Sequence, residues 1–380
     1  MLRHNEARGF MLYHATLSTG HGSHSAGADK RDLSFDFAKG ILIILVIIGH
    51  LLQYVIYRDN GYWDSPYFKS IYMFHMPLFM AISGYLSSRA LLRKSFARSV
   101  NERAIQLLLP TLFWFALLEA AKVAVFSPSS SIVGGAFLND LVGSYWFIWA
   151  TFASFLVVKV LLTIFRRLSM WIVCISAFAV AVLPVTFSIA PSIRYTYPFF
   201  CLGFLLSQST EYRTHFLPRN RSLLMFFLAA IACACFLAWG KDTYVYNNLA
   251  LIHDTASAEQ VLLMFVGSAA ASWIAFEIIV QLWKFSSSTR MARFVAVELG
   301  QSTLLLYLLQ GTVFRLMDLV QFGELWDLST RISVAGMLGV SIVVIAMTVR
   351  FLVRDLGWLS RIVVGTSPRS EAIKAQSATS

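Results

Sequence analysis

The chain has 380 residues, of which 57% are hydrophobic and only 13% charged, with a mean hydropathy of +0.66. Soluble globular domains carry about a quarter charged residues, so this balance excludes a separate soluble domain and leaves a polytopic membrane protein. The formal net charge of +11 raises nucleic acid as a partner, but the basic residues fall in short connections between apolar runs, where they serve membrane orientation instead.

Residues 1–30 are polar and rich in Gly, Ser and His, with no apolar core followed by a small-residue cleavage site, so no signal peptide is expected. His4, His14, His21 and His24 are irregularly spaced and read as a disordered tail rather than a metal tract. No metal site is expected. Ten runs are then long and apolar enough for spans, at about 34–56, 67–88, 104–126, 141–165, 169–189, 193–209, 222–239, 258–283, 297–320 and 332–356. The sixth is short, and its Pro198 and Gly203 point to a bent or partial span. The fold class expected is an all-α integral membrane bundle of about ten transmembrane helices over 31–358, with cytoplasmic tails at 1–30 and 359–380. All four cysteines (Cys174, Cys201, Cys233 and Cys235) lie in apolar stretches and give no disulfide framework.

The charges orient that bundle. With the N-terminus inside, cytoplasmic connections hold Arg89, Arg93, Lys94, Arg98 and Arg103, then Arg166 and Arg167, then Arg213, Arg219 and Arg221, then Lys284, Arg290 and Arg293. The outer connections hold Arg58, Lys241 and Arg331, with Arg194 at a border. This is a positive-inside pattern, and it places both termini in the cytosol, at the inner membrane if the source is bacterial.

The first span carries ionisable groups, which are costly in a bilayer and read as functional. Lys39 and His50 are eleven residues apart, close to three helical turns, so they share a face roughly 16 Å apart along the axis; Asp36 and Gln53 fall near the same stripe. The second span runs back and places His75 at a depth similar to His50. These are the only histidines of the eight inside spans, His215 and His253 being in loops. Pro77 removes a backbone donor and is expected to kink this helix, freeing carbonyls that need partners.

The stretches DFAKGILIILVIIGH, MFHMPLFMAISGYL, NERAIQLLLP, SYWFIWA, YPFFCLGFLLS and LGQSTLLLYLLQ together resemble the membrane acyltransferase-3 family. The similarity lies closest to its sugar and glycan O-acetyltransferase branch (fucose 4-O-acetylase-like) and runs from about Asp32 to the end of the tenth span. The resemblance implies an O-acyltransferase that moves an acyl group, usually acetyl, from cytoplasmic acyl-CoA to a hydroxyl of a sugar or glycan such as an exopolysaccharide or lipopolysaccharide unit. It also implies a signature of a basic residue, ten spacers and a histidine, here Lys39 and His50, with His50 catalytic. Two departures stand out. Many relatives carry an Arg-x-x-Arg pair in the first cytoplasmic loop, and Arg89, Arg93, Arg98 and Arg103 give none; many end the ninth-span motif in His, where this chain has Gln310.

The residues support the same chemistry. Acyl transfer from a thioester to an alcohol needs a base for the hydroxyl proton and donors for the oxyanion. His50 suits the first, because histidine titrates near neutrality, and His75 would partner it or donate to the oxyanion. A phosphate-bearing donor needs cations: Lys39, Arg93 and Arg103, the last inside its motif, are the acyl-CoA-binding candidates. Asp36, Gln53, Trp146, Tyr307 and Gln310 are the substrate-cavity candidates, Tyr307 and Gln310 sharing a face at i, i+3. No tightly bound cofactor is expected; acetyl-CoA or another acyl-CoA is a cosubstrate, and the other partners are the acceptor glycan and the bilayer.

Each feature also has a plainer reading. Asp36 and Lys39 form an interface pair at i, i+3; Trp146 and Phe147 are interfacial aromatics; Ser83 and Gly84 allow close helix packing. A transporter or flippase for a glycan or lipid-linked sugar would also show ten spans with polar groups inside, though such folds tend to carry internal repeats, which this chain lacks. A sensor or assembly partner with a decayed site is the third class, resting on the two departures alone.

Overall fold

The computed structural model describes residues 32–57, 61–126, 135–165, 169–183, 185, 187–208, 221–244, 252, 254–318 and 326–365. The tail at 1–30, His215, His253, Arg58, Arg166, Arg167, Arg213 and Arg219 lie outside them, as does the C-terminus beyond residue 365. No strand occurs among the described residues.

Helix α1, Leu33–Leu51, continues into a π-helical turn at Leu52–Ile56. Helix α2, Pro66–Tyr72, starts on Ser65, whose Oγ accepts the Phe68 N–H, with proline in the first position, where its missing donor costs nothing. Helix α3, His75–Arg93, follows two residues later. Then come α4 (Phe96–Phe126), α5 (Gly135–Ser144), α6 (Trp146–Ile164), α7 (Ser169–Val182), α8 (Ala190–Gln208) and α9 (Arg221–Ala238). Helix α10, Thr255–Ser286, opens with a reciprocal cap between Asp254 and Ser257. Helix α11, Arg290–Phe294, runs into a π-helical turn at Val295–Leu299; α12 (Thr303–Asp318), α13 (Leu328–Val353) and α14 (Gly357–Val364) complete the chain.

Each of the ten expected spans falls on helix, but ten crossings are not established. Six helices are long and apolar enough to cross a membrane: Leu33–Ile56, α4 as Phe96–Ala124, α6, α9, α10 and α13. A seventh arises if Arg290–Leu299 and Thr303–Asp318 count as one span bent by 74°. The remainder fall short for visible reasons. Helix α7 has 14 residues, about 21 Å of rise. Helix α3 is shortened by the break before His75 and ends in Ser87, Ser88, Arg89 and Arg93. Helix α8 carries Arg194 and Gln208, and continues through Pro198.

Glycines set the closest crossings. A Cβ on Gly84 would lie 2.0 Å from the Phe200 carbonyl oxygen, and one on Gly203 would lie 1.8 Å from that of Ala81, so α3 and α8 cross backbone to backbone and antiparallel. A Cβ on Gly40 would meet the Val295 carbonyl at 2.3 Å and one on Gly300 that of Asp36 at 1.9 Å. These contacts seat α1 against the bend of the ninth span.

The interior also uses cations to satisfy backbone carbonyls. Lys159 of α6 is buried and donates to the carbonyls of Leu91 and Lys94 at 2.7 Å each, capping α3 from another helix. Arg194 caps α7 through Ala181 and Val185. Arg350 donates to the carbonyls of Val297 and Glu298 and to Ser302 Oγ at the ninth-span bend. Helix ends leave such carbonyls unsatisfied and favour positive charge. Lys159→Met keeps the stem and removes the donor. It is expected to cost about 1–3 kcal/mol, read as a lower unfolding temperature in detergent by tryptophan fluorescence; an unchanged transition would show that the cap carries no stability.

Candidate active site

His50 sits one residue before the end of α1 and is half-buried. Its Nδ1 faces Gln310 Oε1 of α12 at 3.3 Å. Tyr54, one turn on from His50, and Phe314, one turn on from Gln310, pack on the imidazole with centroids at 5.9 and 5.4 Å and stack on each other at 5.5 Å. Two helices at i, i+4 spacing thus supply both the ring walls and the nitrogen partner.

His75 is buried and opens α3, directly after the break at Met73 and Phe74. The expected kink is therefore present, but it precedes Pro77, which lies in the first turn of α3 where a donor is not required. Two features serve the broken turn. His75 Nδ1 donates to the Ile71 carbonyl at 2.8 Å, and Ser272 Oγ of α10 donates to the Phe74 carbonyl at 3.3 Å. Because a carbonyl only accepts, a neutral His75 carries its proton on Nδ1 and offers a bare lone pair at Nε2. That corrects its expected role as an oxyanion donor: in this geometry a neutral His75 has no donor left to give.

Tyr72 bridges the two histidine-bearing segments. Its hydroxyl donates to Gln53 Oε1 at 3.5 Å, and its ring lies edge-on to His75 at 4.7 Å. Its ring also fills the space over Gly49, next to His50. Tyr307, one turn before Gln310 on α12, accepts the Phe147 N–H at its hydroxyl oxygen at 3.4 Å, so its own O–H is left to donate. Trp146 adjoins Phe147, whose ring faces both Tyr307 and Phe79. Helix α12 is held against this corner by the hydrogen bond between Tyr145 and Thr312, 2.7 Å long, and by the Tyr145 ring over Gly311.

The structure thus gathers His50, Gln53, His75, Tyr307 and Gln310, with Trp146 at the edge. Tyr54, Tyr72 and Phe314 join them without having been singled out from the sequence. Each lies three or four residues from a candidate (His50, His75 or Gln310), and that spacing is the signal that would have found them. Asp36 does not belong to this group. It is buried and paired with Lys39 at 2.8 Å, about 25 Å along α1 from Gln53. Its i, i+3 ion pair and the packing of its carbonyl on Gly300 set it at the other end of α1.

The three cationic candidates differ. Lys39 is held by Asp36. Arg93 is exposed at the end of α3. Arg103 turns inward: Nη2 donates to Ser87 Oγ and Nη1 to Gln106 Oε1, both at 3.1 Å, the guanidinium lies over the Phe155 ring at 5.6 Å, and its buried Nε has no partner. No carboxylate among the described residues pairs with it. One turn from Ser87 and one turn from Phe155 lie Leu91 and Lys159, which with Leu92, Lys94, Ser95, Phe96, Leu162 and Thr163 line a cavity of about 340 Å³.

Comparison with known proteins bears on this arrangement. The acyltransferase-3 profile, described as an acyltransferase domain, matches residues 32–350. The chain is 59% identical over 362 residues to nodulation protein NolL of Sinorhizobium fredii, covering 94% of this chain and 99% of that one. It is 60% identical over 361 residues to nodulation protein NolL of Mesorhizobium japonicum, covering 94% and 96%. No solved structure matches it significantly.

Proposed function

The chain belongs to the acyltransferase-3 family and is a membrane acyltransferase; from that premise we propose that it moves an acetyl group from cytoplasmic acetyl-CoA to a hydroxyl of a sugar or glycan. The observation that carries the reading is the pairing of His50 Nδ1 with Gln310 Oε1, which leaves Nε2 outside that contact on an imidazole flanked by the Tyr54 and Phe314 rings. His50 Nε2 takes the acceptor's proton as the hydroxyl oxygen bonds to the thioester carbonyl carbon. The carbon–sulfur bond then breaks, and the imidazolium returns the proton to the departing thiolate. The products are an ester and free CoA. The Tyr307 O–H serves as the donor to the oxyanion. His75 Nε2, an acceptor, orients a second hydroxyl of the sugar.

At the far end the half-buried Arg103 guanidinium, with its Nε unpartnered, supports an anionic donor. Arg103→Gln is expected to raise KM for acetyl-CoA about 10–100-fold, the loss of one charge-assisted hydrogen bond, with kcat less affected. The reading as a whole is tested in membrane vesicles given radiolabelled acetyl-CoA. Inverted vesicles should move label into glycan and right-side-out vesicles should not. Equal transfer in both would remove the cytoplasmic donor. Glycan movement that needs no acyl-CoA, with no label transferred, would replace the enzyme by a transporter.

A further inference from the structure

Gln310 is fully buried, yet its amide makes a single hydrogen bond among the described residues, from His50 Nδ1 to Oε1, while Nε2 has no partner. Leaving amide donors unpaired in the interior costs about 1–3 kcal/mol, a cost that an aliphatic side chain of similar size would not incur. A polar group kept on those terms points to what its bonded end does. Tyr54 and Phe314 hold the plane of the imidazole, but neither touches a ring nitrogen.

We infer that Gln310 is a positioning residue whose amide oxygen holds His50 in the tautomer protonated at Nδ1, so that Nε2 is the atom that faces the acceptor hydroxyl. The inference rests on the proposed role of His50 as the base. It adds what the ninth-span motif contributes to the reaction: a carbonyl-type acceptor, delivered by α12 to a histidine on α1. His75 needs no such partner, since the carbonyl of its own preceding turn does the same work.

The test uses the full chain in lipid bilayers with ¹⁵N-labelled histidine. Solid-state NMR separates the two imidazole tautomers, and His50→Gln identifies the His50 signal. The wild type should show His50 protonated at Nδ1. Gln310→Leu should introduce the Nε2-protonated form and lower kcat at least about 10-fold with KM for acetyl-CoA unchanged, methyl fucoside serving as acceptor. Gln310→Glu, which keeps an acceptor oxygen, should restore the Nδ1 tautomer and most of kcat. A wild-type His50 protonated at Nε2 overturns the inference, and so does a Gln310→Leu variant with unchanged tautomer. Loss of kcat in both Gln310 variants without a tautomer change would assign Gln310 to packing alone, and also overturns it. Should His50→Gln itself retain transfer while Gln310→Leu still shifts the tautomer, the orienting contact stands and the proposed base falls, so the two failures are distinguishable.

Discussion

Membranes carrying His50→Ala are expected to hold wild-type amounts of the protein and to lose acetyl transfer by about 10²–10⁴-fold, the usual share of a general base. The loss should appear in kcat, because the imidazole is bonded to Gln310 and flanked by Tyr54 and Phe314, none of which is among the donor-binding candidates. Folding should tolerate the change, since His50 is only half-buried and the crossing of α1 on the ninth span depends on Gly40 and Gly300 instead. His75→Ala is the comparison that gives the result meaning. Its Nδ1 hydrogen bond is to the backbone of its own segment, so its removal loosens the start of α3 and the orientation of a bound hydroxyl. The expected loss is nearer 10-fold, with a raised KM for the acceptor. The opposite order, with transfer surviving in His50→Ala and vanishing in His75→Ala, would move the base to His75. Label transfer from acetyl-CoA in inverted vesicles, normalised to protein in the membrane, decides it.

Much of this site was visible before any coordinates, and the parts that were not share a cause. The span 34–56 follows from apolar length, a local property. The ion pair of Asp36 with Lys39 follows from i, i+3 spacing. The kink at Met73 and Phe74 follows in part, because the Pro77 ring crowds the carbonyl four residues back, but the partner that satisfies it does not. What sustains it is Ser272, 198 positions away, donating to the Phe74 carbonyl. The bend at Gly300–Ser302 is similar. The sequence reads 297–320 as one run, whereas the Arg350 guanidinium that satisfies Val297 and Glu298 at the bend comes from α13. Arg194 and Lys159 were read as border charge or passed over, and both cap other helices. Long-range satisfaction of backbone carbonyls is what the one-dimensional pattern could not carry.

Gly203→Ala is expected to be the most damaging single methyl group in the molecule. Its Cβ would stand 1.8 Å from the Ala81 carbonyl oxygen and 2.6 Å from the carbonyl carbon. The obstacle is backbone, so no rotamer change relieves it, and α3 and α8 must part by more than an ångström. Overpacking usually costs 1–3 kcal/mol; a clash against main chain should reach about 3 kcal/mol or more, read as a collapse of the monodisperse peak in detergent and a lowered unfolding temperature. Gly84→Ala meets the Phe200 carbonyl oxygen at 2.0 Å and should behave alike. The double variant separates this account from a general dislike of mutation. Both glycines serve one crossing, so helices already forced apart by the first methyl accommodate the second, and the combined loss should fall well below the sum. Gly336→Ala provides the control: nothing lies within 4 Å of its Cβ position on α13, and alanine in a helix interior should be neutral or stabilising by up to about 1 kcal/mol. The consequence reaches the chemistry, because α3 begins at His75. Whatever Gly203→Ala protein survives should retain His50 with its Gln310 contact and lose acceptor affinity before it loses turnover. Additive losses in the double variant, or a folded Gly203→Ala protein with wild-type kinetics, would show that α3 and α8 do not meet at these glycines.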